Sequence, residues 1–386
     1  MNMTTSLKNI LKGLLVAIGT IILVLLVVIG SWFFRDNASE VSDRLNMDSW
    51  VAFHDGQHNS NTDLVYWKGH FYLIHQNSPY HMASEKAKLI LHRSIDAKKW
   101  ETITTFNVPG EDIRDPKFAA IQGKLIIYVL KNKGFEPAPY GTAISTSTDG
   151  KNWTALEDIE PTGWLFWRPK TRDGKTWYTT AYWKHHGKSI LLKSADGINW
   201  QIVSKIHEGD RNDETAMEFM PDGRILITAR LEGERAWHQG SMNARTLIAT
   251  ARYPYTSWTK NISRLTRLDG PVLFSYRGDI YSVARFDPEQ YDHWYGMSSL
   301  LGRKRTSIYR VTPEELTRLT DLPSAGDTSY PGIVNKDGYL YISYYTSNTN
   351  GDYPWLLGLV TESDIMMARI PLEDLHTIAG KEIPEK

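Results

Sequence analysis

The spacing S-x-D-x-x-x-W recurs three times, at Ser94/Asp96/Trp100, Ser147/Asp149/Trp153 and Ser194/Asp196/Trp200. Its tryptophans stand 53 and 47 residues apart. Each copy reads as a tight turn. An Asp side chain accepts bonds from the backbone N–H groups just after it, glycine supplies positive φ, and Trp buries a large apolar face. These residues therefore belong to the frame rather than to chemistry. An eroded fourth copy ends at Trp258 ("YPYTSW"). Stretches such as "KLIIYVLKN", "GRILITARL", "GDIYSVARF" and "GYLYISYYT" are short and rich in β-branched and aromatic residues. They enter through Gly or Asp turns, as strands do. A repeat near 50 residues with about four strands is the signature of a β-propeller. Six units are predicted, near residues 61–100, 112–155, 164–202, 213–259, 268–317 and 327–377. Ser49–His54 is placed to close the ring against the last of them. No amphipathic helix is expected after residue 48, apart from a short turn at Pro313–Leu319.

The N-terminus carries a different signal. Gly13–Phe34 is an uncharged run of 22 residues, preceded by Lys8 and Lys12. As a helix it reaches roughly 33 Å, enough for a bilayer core. Trp32, Phe33 and Phe34 stand where an interfacial aromatic belt belongs, and the lysines favour a cytoplasmic N-terminus. A cleaved signal peptide, the competing reading, has a shorter apolar core and a small-x-small site. The expected order is a cytoplasmic segment (1–12), a transmembrane signal anchor (13–34), a juxtamembrane linker (35–48) and an all-β six-bladed propeller (49–386) on the periplasmic or extracellular side. Lys plus Arg and Asp plus Glu total 44 each, so no basic excess points to nucleic acid. Cysteine is absent and the histidines show no tight ligand spacing, so no metal is predicted. No Gly-rich phosphate loop precedes a helix, so no cofactor is predicted either.

In a propeller the innermost strands converge on a funnel, so polar residues within strand-like motifs are the candidates. Two motifs qualify, "NDETAMEFMPDGRILITAR" from Asn212 to Arg230 and "DTSYPG" from Asp327 to Gly332. Together with the S-x-D-x-x-x-W turns, "HN..TDLVYWKG", "DIRDPK" and "IYSVAR", they resemble the sialidase (neuraminidase, BNR/Asp-box repeat) superfamily, in particular a poorly characterised bacterial sialidase-like subgroup. The resemblance spans most of residues 58–345. It implies Tyr330 as nucleophile and Glu214 as its base. A phenol avoids the repulsion that a carboxylate nucleophile meets at an anomeric centre bearing a carboxylate, but its pKa near 10 calls for a neighbouring base. The resemblance also implies an arginine clamp for a sugar carboxylate, built on Arg230 and Arg285, whose planar guanidiniums suit bidentate binding.

The stretch matching the family's first arginine, "HNSNTDLVYWKGHFYLIHQ", holds no Arg, so Arg114 or Arg168 completes the clamp. The family's acid/base Asp is likewise missing from "HQNSPYHMASEKAK". His81, Glu85, Asp63 and Asp115 are the alternatives, and His81 fits by its ordinary pKa. The expected activity is retaining hydrolysis of a terminal, acidic sugar from a glycan. Arg-Asp-Pro at Arg114–Pro116 also resembles furanoside-cleaving propeller enzymes, which would use Asp63, Asp115 and Glu214 as a carboxylate set. A propeller that binds glycan or protein without catalysis is the alternative from another class.

Overall fold

The computed structural model describes residues 3–33, 39–136, 138–233, 243–288 and 300–381. The chain forms two compact units, Met1–Ala38 and Ser39–Lys386. The first is one helix, α1 (Met3–Phe33). Its span Lys8–Ser31, 24 residues long, holds an 18-residue stretch of mean hydropathy 3.0 and is apolar enough to cross a membrane. The predicted aromatic belt falls outside the description: Phe34 is not covered, nor are the side chains of Trp32 and Phe33.

The second unit is a six-bladed β-propeller. It begins with β1 (Asp48–Phe53). Blade one is β2 (His58–Trp67), β3 (His70–Ser78), β4 (Lys88–Ser94) and β5 (Glu101–Phe106). Blade two is β6 (Glu111–Ile121), β7 (Lys124–Lys133), β8 (Gly141–Ser147) and β9 (Glu157–Asp158). Blade three has a broken inner strand, β10 (Trp164–Phe166) and β11 (Lys170–Thr171), then β12 (Trp177–Trp183), β13 (Lys188–Ser194) and β14 (Gln201–Glu208). Blade four is β15 (Asp213–Phe219), β16 (Ile225–Leu231), β17 (Arg245–Ala251) and β18 (Thr259–Ser263). Blade five is β19 (Asp269–Tyr276), β20 (Asp279–Phe286), β21 (Arg305–Val311) and β22 (Leu316–Leu322). Blade six is β23 (Thr328–Lys336), β24 (Tyr339–Thr346), a one-turn α2 (Trp355–Gly358) and β25 (Asp364–Pro371), followed by α3 (Leu372–Lys381). All pairings within the blades are antiparallel, and β1 completes blade six by pairing with β25, from Asp48↔Arg369 to Phe53↔Ile365.

The S-x-D-x-x-x-W turns lie between the third and outermost strands of blades one to three. Asp149 Oδ1 accepts from the N–H groups of Lys151 and Asn152, both at 2.8 Å, and Asp196 does the same for Ile198 and Asn199. Each turn packs on the preceding blade. Trp153 meets Phe106 edge-on at 5.9 Å, and Trp200 meets Tyr128 at 6.3 Å. Thr171-x-Asp173-Gly174-x-x-Trp177 is a further copy, with Thr in place of Ser and the same bonds to Lys175 and Thr176. It sits in the β11–β12 hairpin.

Three expectations differ. Residues 39–47, assigned to the linker, lie along the outer edge of blade five: Glu40 N–H donates to Asp321 at 2.9 Å and Ser42 N–H to Thr320 at 3.0 Å. The stretch Pro313–Leu319 runs into strand β22 rather than a helical turn. The helix α3 was not expected because it spans only 10 residues. Its apolar stripe of Leu372, Leu375, Ile378 and Ala379 is buried against blades five and six, and that burial rather than propensity holds it.

Candidate active site

Every innermost strand departs from regular geometry at the same level. Register shifts interrupt β2 between Ser60 and Asp63, β6 between Arg114 and Lys117, β15 between Asp213 and Thr215, β19 between Asp269 and Val272, and β23 between Ser329 and Gly332. At these bulges Asn61 (φ 47°), Asp115 (φ 51°), Glu214 (φ 21°), Gly270 (φ 61°) and Tyr330 (φ 46°) occupy the left-handed region. In blade three the break between β10 and β11 holds Arg168. Bulges re-aim side chains and recur beside active sites, and positive φ at a bulky residue such as Tyr330 is strained.

The residues after these six positions are Thr62, Pro116, Pro169, Thr215, Pro271 and Pro331. Proline suits a bulge because no ladder bond needs its missing N–H. This periodic X-Pro/X-Thr step was present in the sequence as a signal for the funnel level. Two of the bulge carbonyls are met across the channel, Pro271 O by Trp167 Nε1 at 2.8 Å and Pro331 O by Arg168 Nη2 at 3.2 Å.

A cavity of about 200 Å³ opens at this level, and Glu214, Tyr330, Asp115, His81, Arg114, Arg230 and Arg285 are among its lining residues. Tyr330 donates to Glu214 Oε1 at 2.5 Å, although 116 residues separate them. Glu214 Oε2 accepts the Gly270 N–H at 2.7 Å, and Arg230 Nη1 stands 3.1 Å from Oε1. Burial pushes the Glu214 carboxyl up to about 7, with Asp213, Asp269 and Asp115 adding to it against the pull of Arg230. Burial and the Glu214 charge hold the Tyr330 phenol well above its ordinary range. A Cβ on Gly270 would lie 2.6 Å from Tyr330 Cγ, so only glycine lets the ring take its place.

The arginines are ion-paired. Arg230 is held by Asp213 through Nε (2.6 Å) and Nη2 (2.7 Å), and by Asp269 through Nη1 (3.3 Å). Arg285 bonds Asp269 (3.2 Å), Asp327 (3.0 Å) and Thr328 O (2.9 Å). Arg267, which sequence reasoning missed, also pairs with Asp269 at 2.8 Å. Burial would raise the Asp269 carboxyl, but these three guanidiniums outweigh it and hold it well below the usual range. Asp213↔Arg230 and Asp269↔Arg285 are direct cross-strand partners, so the same Asp–Arg device recurs in consecutive blades. Arg114 chelates Asp112 at 2.6 and 3.0 Å.

Asp63 and Arg168 face each other at 2.7 Å and are not among the cavity's lining residues. Asp63 also accepts the Phe118 N–H at 2.6 Å, so it braces blades one, two and three. Asp115 is 8% exposed, and its Oδ1 has no hydrogen-bond partner among the described residues. His81 Nδ1 lies 2.6 Å from Asp327 Oδ2. Glu85 is not among the lining residues.

Among the described residues, two groups bring three donor atoms within 4.8 Å of one another, His58/His81/Asp327 and His186/Asp213/Glu232. In the first, His81 Nδ1 and Asp327 Oδ2 lie 2.6 Å apart, well short of the edge of about 3.4 Å between ligands on one zinc ion. In the second, Arg230 and Arg211 already supply positive charge to the carboxylates. A larger cavity of about 420 Å³ is lined by Arg172, Tyr178, Lys193, Phe219, Tyr253 and Tyr255. It lies at the far ends of the strands that carry Tyr182 and Glu214, and its carboxylate, Asp173, is spent on capping the Thr171–Trp177 turn.

No protein-family profile matches the chain, and no curated protein matches it in sequence. Its fold does match solved structures. A Dyadobacter fermentans DSM 18053 protein of unknown function is 14% identical, with a TM-score of 0.63 over 86% of this chain and 100% of that one. Trypanosoma rangeli sialidase in complex with sialic acid is 12% identical, with a TM-score of 0.60 over 89% of this chain and 61% of that one. The NanB sialidase from Streptococcus pneumoniae is 11% identical, with a TM-score of 0.59 over 84% and 71%. This chain thus has the propeller fold of sialidases and spans less than two thirds of the Trypanosoma chain.

Proposed function

We propose that the chain is a sialidase-like glycoside hydrolase that removes a terminal, acidic sugar from a glycan with retention of configuration. The carrying observation is the Tyr330–Glu214 pair, 2.5 Å apart at a cavity wall. Glu214 takes the phenol proton as Tyr330 Oη bonds to the anomeric carbon, and a sugar carboxylate there repels a neutral phenol less than an anionic nucleophile. Arg114, Arg230, Arg267 and Arg285 all line the cavity and supply the positive side of the site. The small volume suits a single terminal unit. In this reading α1 is an uncleaved anchor with residues 1–12 in the cytoplasm, and the propeller meets its glycan on the periplasmic or extracellular side.

The test is a panel of chromogenic glycosides, sialosides and uronides included, with the full chain in detergent beside Tyr330→Phe. Turnover that falls by about 10³-fold or more in the variant supports the reading. Turnover that survives the substitution excludes the tyrosine mechanism. A second reading, a glycan-binding propeller without turnover, is favoured by one observation: Arg230 and Arg285 spend most of their N–H groups on Asp213, Asp269 and Asp327. Binding without hydrolysis across the panel would select it.

A further inference from the structure

Asp327 is fully buried; donors gather on its Oδ1, and two imidazoles face its Oδ2. Its Oδ1 accepts from Trp355 Nε1 (2.7 Å), Tyr345 Oη (3.0 Å) and Arg285 Nη2 (3.0 Å). Its Oδ2 faces His81 Nδ1 at 2.6 Å and His58 Nε2 at 3.2 Å. The two imidazoles differ. The His58 side chain is wholly buried, with Nδ1 on the Thr361 carbonyl at 2.9 Å. His81 lines the cavity and its side chain is 21% exposed. Its backbone is pinned on both sides, N–H to Leu359 O at 2.9 Å and O to Arg114 Nη2 at 3.3 Å. With Nδ1 at ion-pair distance from a buried carboxylate, the ring offers Nε2 for proton exchange in the cavity. A carboxylate that fixes the tautomer and orientation of a histidine is the arrangement that makes an imidazole a directed general acid–base.

We propose that His81 is the general acid–base of the funnel and that Asp327 is the carboxylate that positions it. The role rests on the glycosidase reading. In the first step the glycosidic C–O bond breaks and its electron pair goes to the leaving oxygen, which takes the proton from His81 Nε2–H. Tyr330 Oη forms the new bond to the anomeric carbon and its proton passes to Glu214. In the second step water gives a proton to His81 Nε2 and bonds the same carbon. The Tyr330 C–O bond breaks, its pair returns to the phenolate oxygen, and Glu214 returns the proton.

The charged groups around His81 come from four directions. Asp327 comes from the start of blade six and His58 from β2. Arg114 with its partner Asp112 comes from β6, and Arg285 from β20 acts through Asp327. Burial lowers the imidazole from its ordinary value and outweighs the raising effect of Asp327.

The experiment needs no known substrate to begin. Diethyl pyrocarbonate acylates unprotonated imidazole, so its rate at His81 against pH, read by peptide mass spectrometry on the full chain in detergent, reports the His81 midpoint. Asp327→Asn should lower that midpoint by about one unit or more, because the raising carboxylate is gone. Trp355→Phe removes a donor from Asp327 and should raise it, which keeps the test open if the first variant does not fold. Midpoints unmoved in both would overturn the positioning role. One equivalent of zinc retained by the wild-type chain and lost in Asp327→Asn would overturn the proton assignment, since the metal would take the Nδ1 lone pair.

On a substrate found in the glycoside panel, His81→Gln should slow aryl glycosides with poor leaving groups by about 10²-fold or more and those with good leaving groups far less. That dependence appearing in Asp115→Asn instead would overturn the proposal. Activity that survives Tyr330→Phe but keeps the leaving-group dependence on His81 would sink the tyrosine mechanism and leave the His81–Asp327 pair standing.

Discussion

At the scale of single residues, the site is governed by what a buried carboxylate costs. Glu214 is 4% exposed, yet it must ionise to take the Tyr330 proton. Burial raises its carboxyl to about 7, close to the pH at which a base is both free and strong enough to act. Because His81 must hold its proton while Glu214 has lost its own, and burial sets the His81 midpoint below that of Glu214, the pH–rate profile on a panel substrate should be bell-shaped, with Glu214 setting its limb near 7. Glu214→Gln should cost about 10²–10⁴-fold, and the pH–rate profile of any residual activity should lack that limb. Stability runs the other way. The folded chain holds this proton more tightly than the unfolded one, so Glu214 stabilises most below its unfolded pKa and that contribution is lost as pH rises to about 7. Thermal midpoints of wild type and Glu214→Gln should thus move in favour of the variant between pH 4 and pH 8. Gly270 makes the same point by sterics: Gly270→Ala would press on Tyr330 and should reduce turnover more than it reduces the folded fraction.

At the scale of elements, the turns do their work by packing on a neighbouring blade. Gly197 (φ +76°) belongs to such a turn, and a Cβ there would lie 2.5 Å from Ile121 Cδ1 and 2.9 Å from Ile126 Cδ1 in blade two. Gly174 (φ +69°) has the same place in the Thr171–Trp177 turn, with open space around it. Gly174→Ala should cost only the left-handed strain, about 1–2 kcal/mol. Gly197→Ala adds overpacking and should cost about 2–5 kcal/mol in all, read as the larger drop in thermal midpoint. Equal drops would show that the blade contact carries no weight. These turns and the first five blades were legible in the sequence because each is built within one continuous segment, and β1 was legible as the strand left over to complete the sixth. The Thr171 copy escaped only because Ser was required at its first place. Tyr330 and Glu214 were named together through the family resemblance, whereas the acids that answer the arginines were not legible in the sequence. Tyr330 and Glu214 lie 116 residues apart, Arg285 and Asp327 lie 42 apart, and no local pattern states which acid answers which base. The X-Pro/X-Thr step at the bulges was the one periodic clue to their common level.

At the scale of the whole molecule, a ring of blades is only as secure as its closure. Here closure is non-local: β1 near one end of the propeller unit pairs with β25 near the other, through Asp48↔Arg369, Ser49↔Ala368, Trp50↔Met367 and Val51↔Met366. Trp50 Nε1 also donates to Ala97 O in the Ser94–Trp100 turn of blade one, so β1 ties blade six to blade one as well as completing its sheet. Without β1, β25 becomes an edge strand with unpaired N–H and C=O groups, which invites pairing with another chain. A propeller unit starting at Ser39 should stay monomeric. One starting at residue 54 should show a lower thermal midpoint and higher-order species by size-exclusion chromatography with light scattering. Because the lost element is a single six-residue strand that adds on through backbone bonds, a separate peptide of residues 46–54 should restore part of the midpoint and shift the distribution toward monomer. A shortened unit that remains monomeric and equally stable would mean that the contacts between the innermost strands of blades one and six close the ring without β1. These include Thr62 Oγ1 to Tyr330 O at 3.0 Å, and the same hydroxyl reaches Ser343 Oγ on the neighbouring β24 at 2.9 Å.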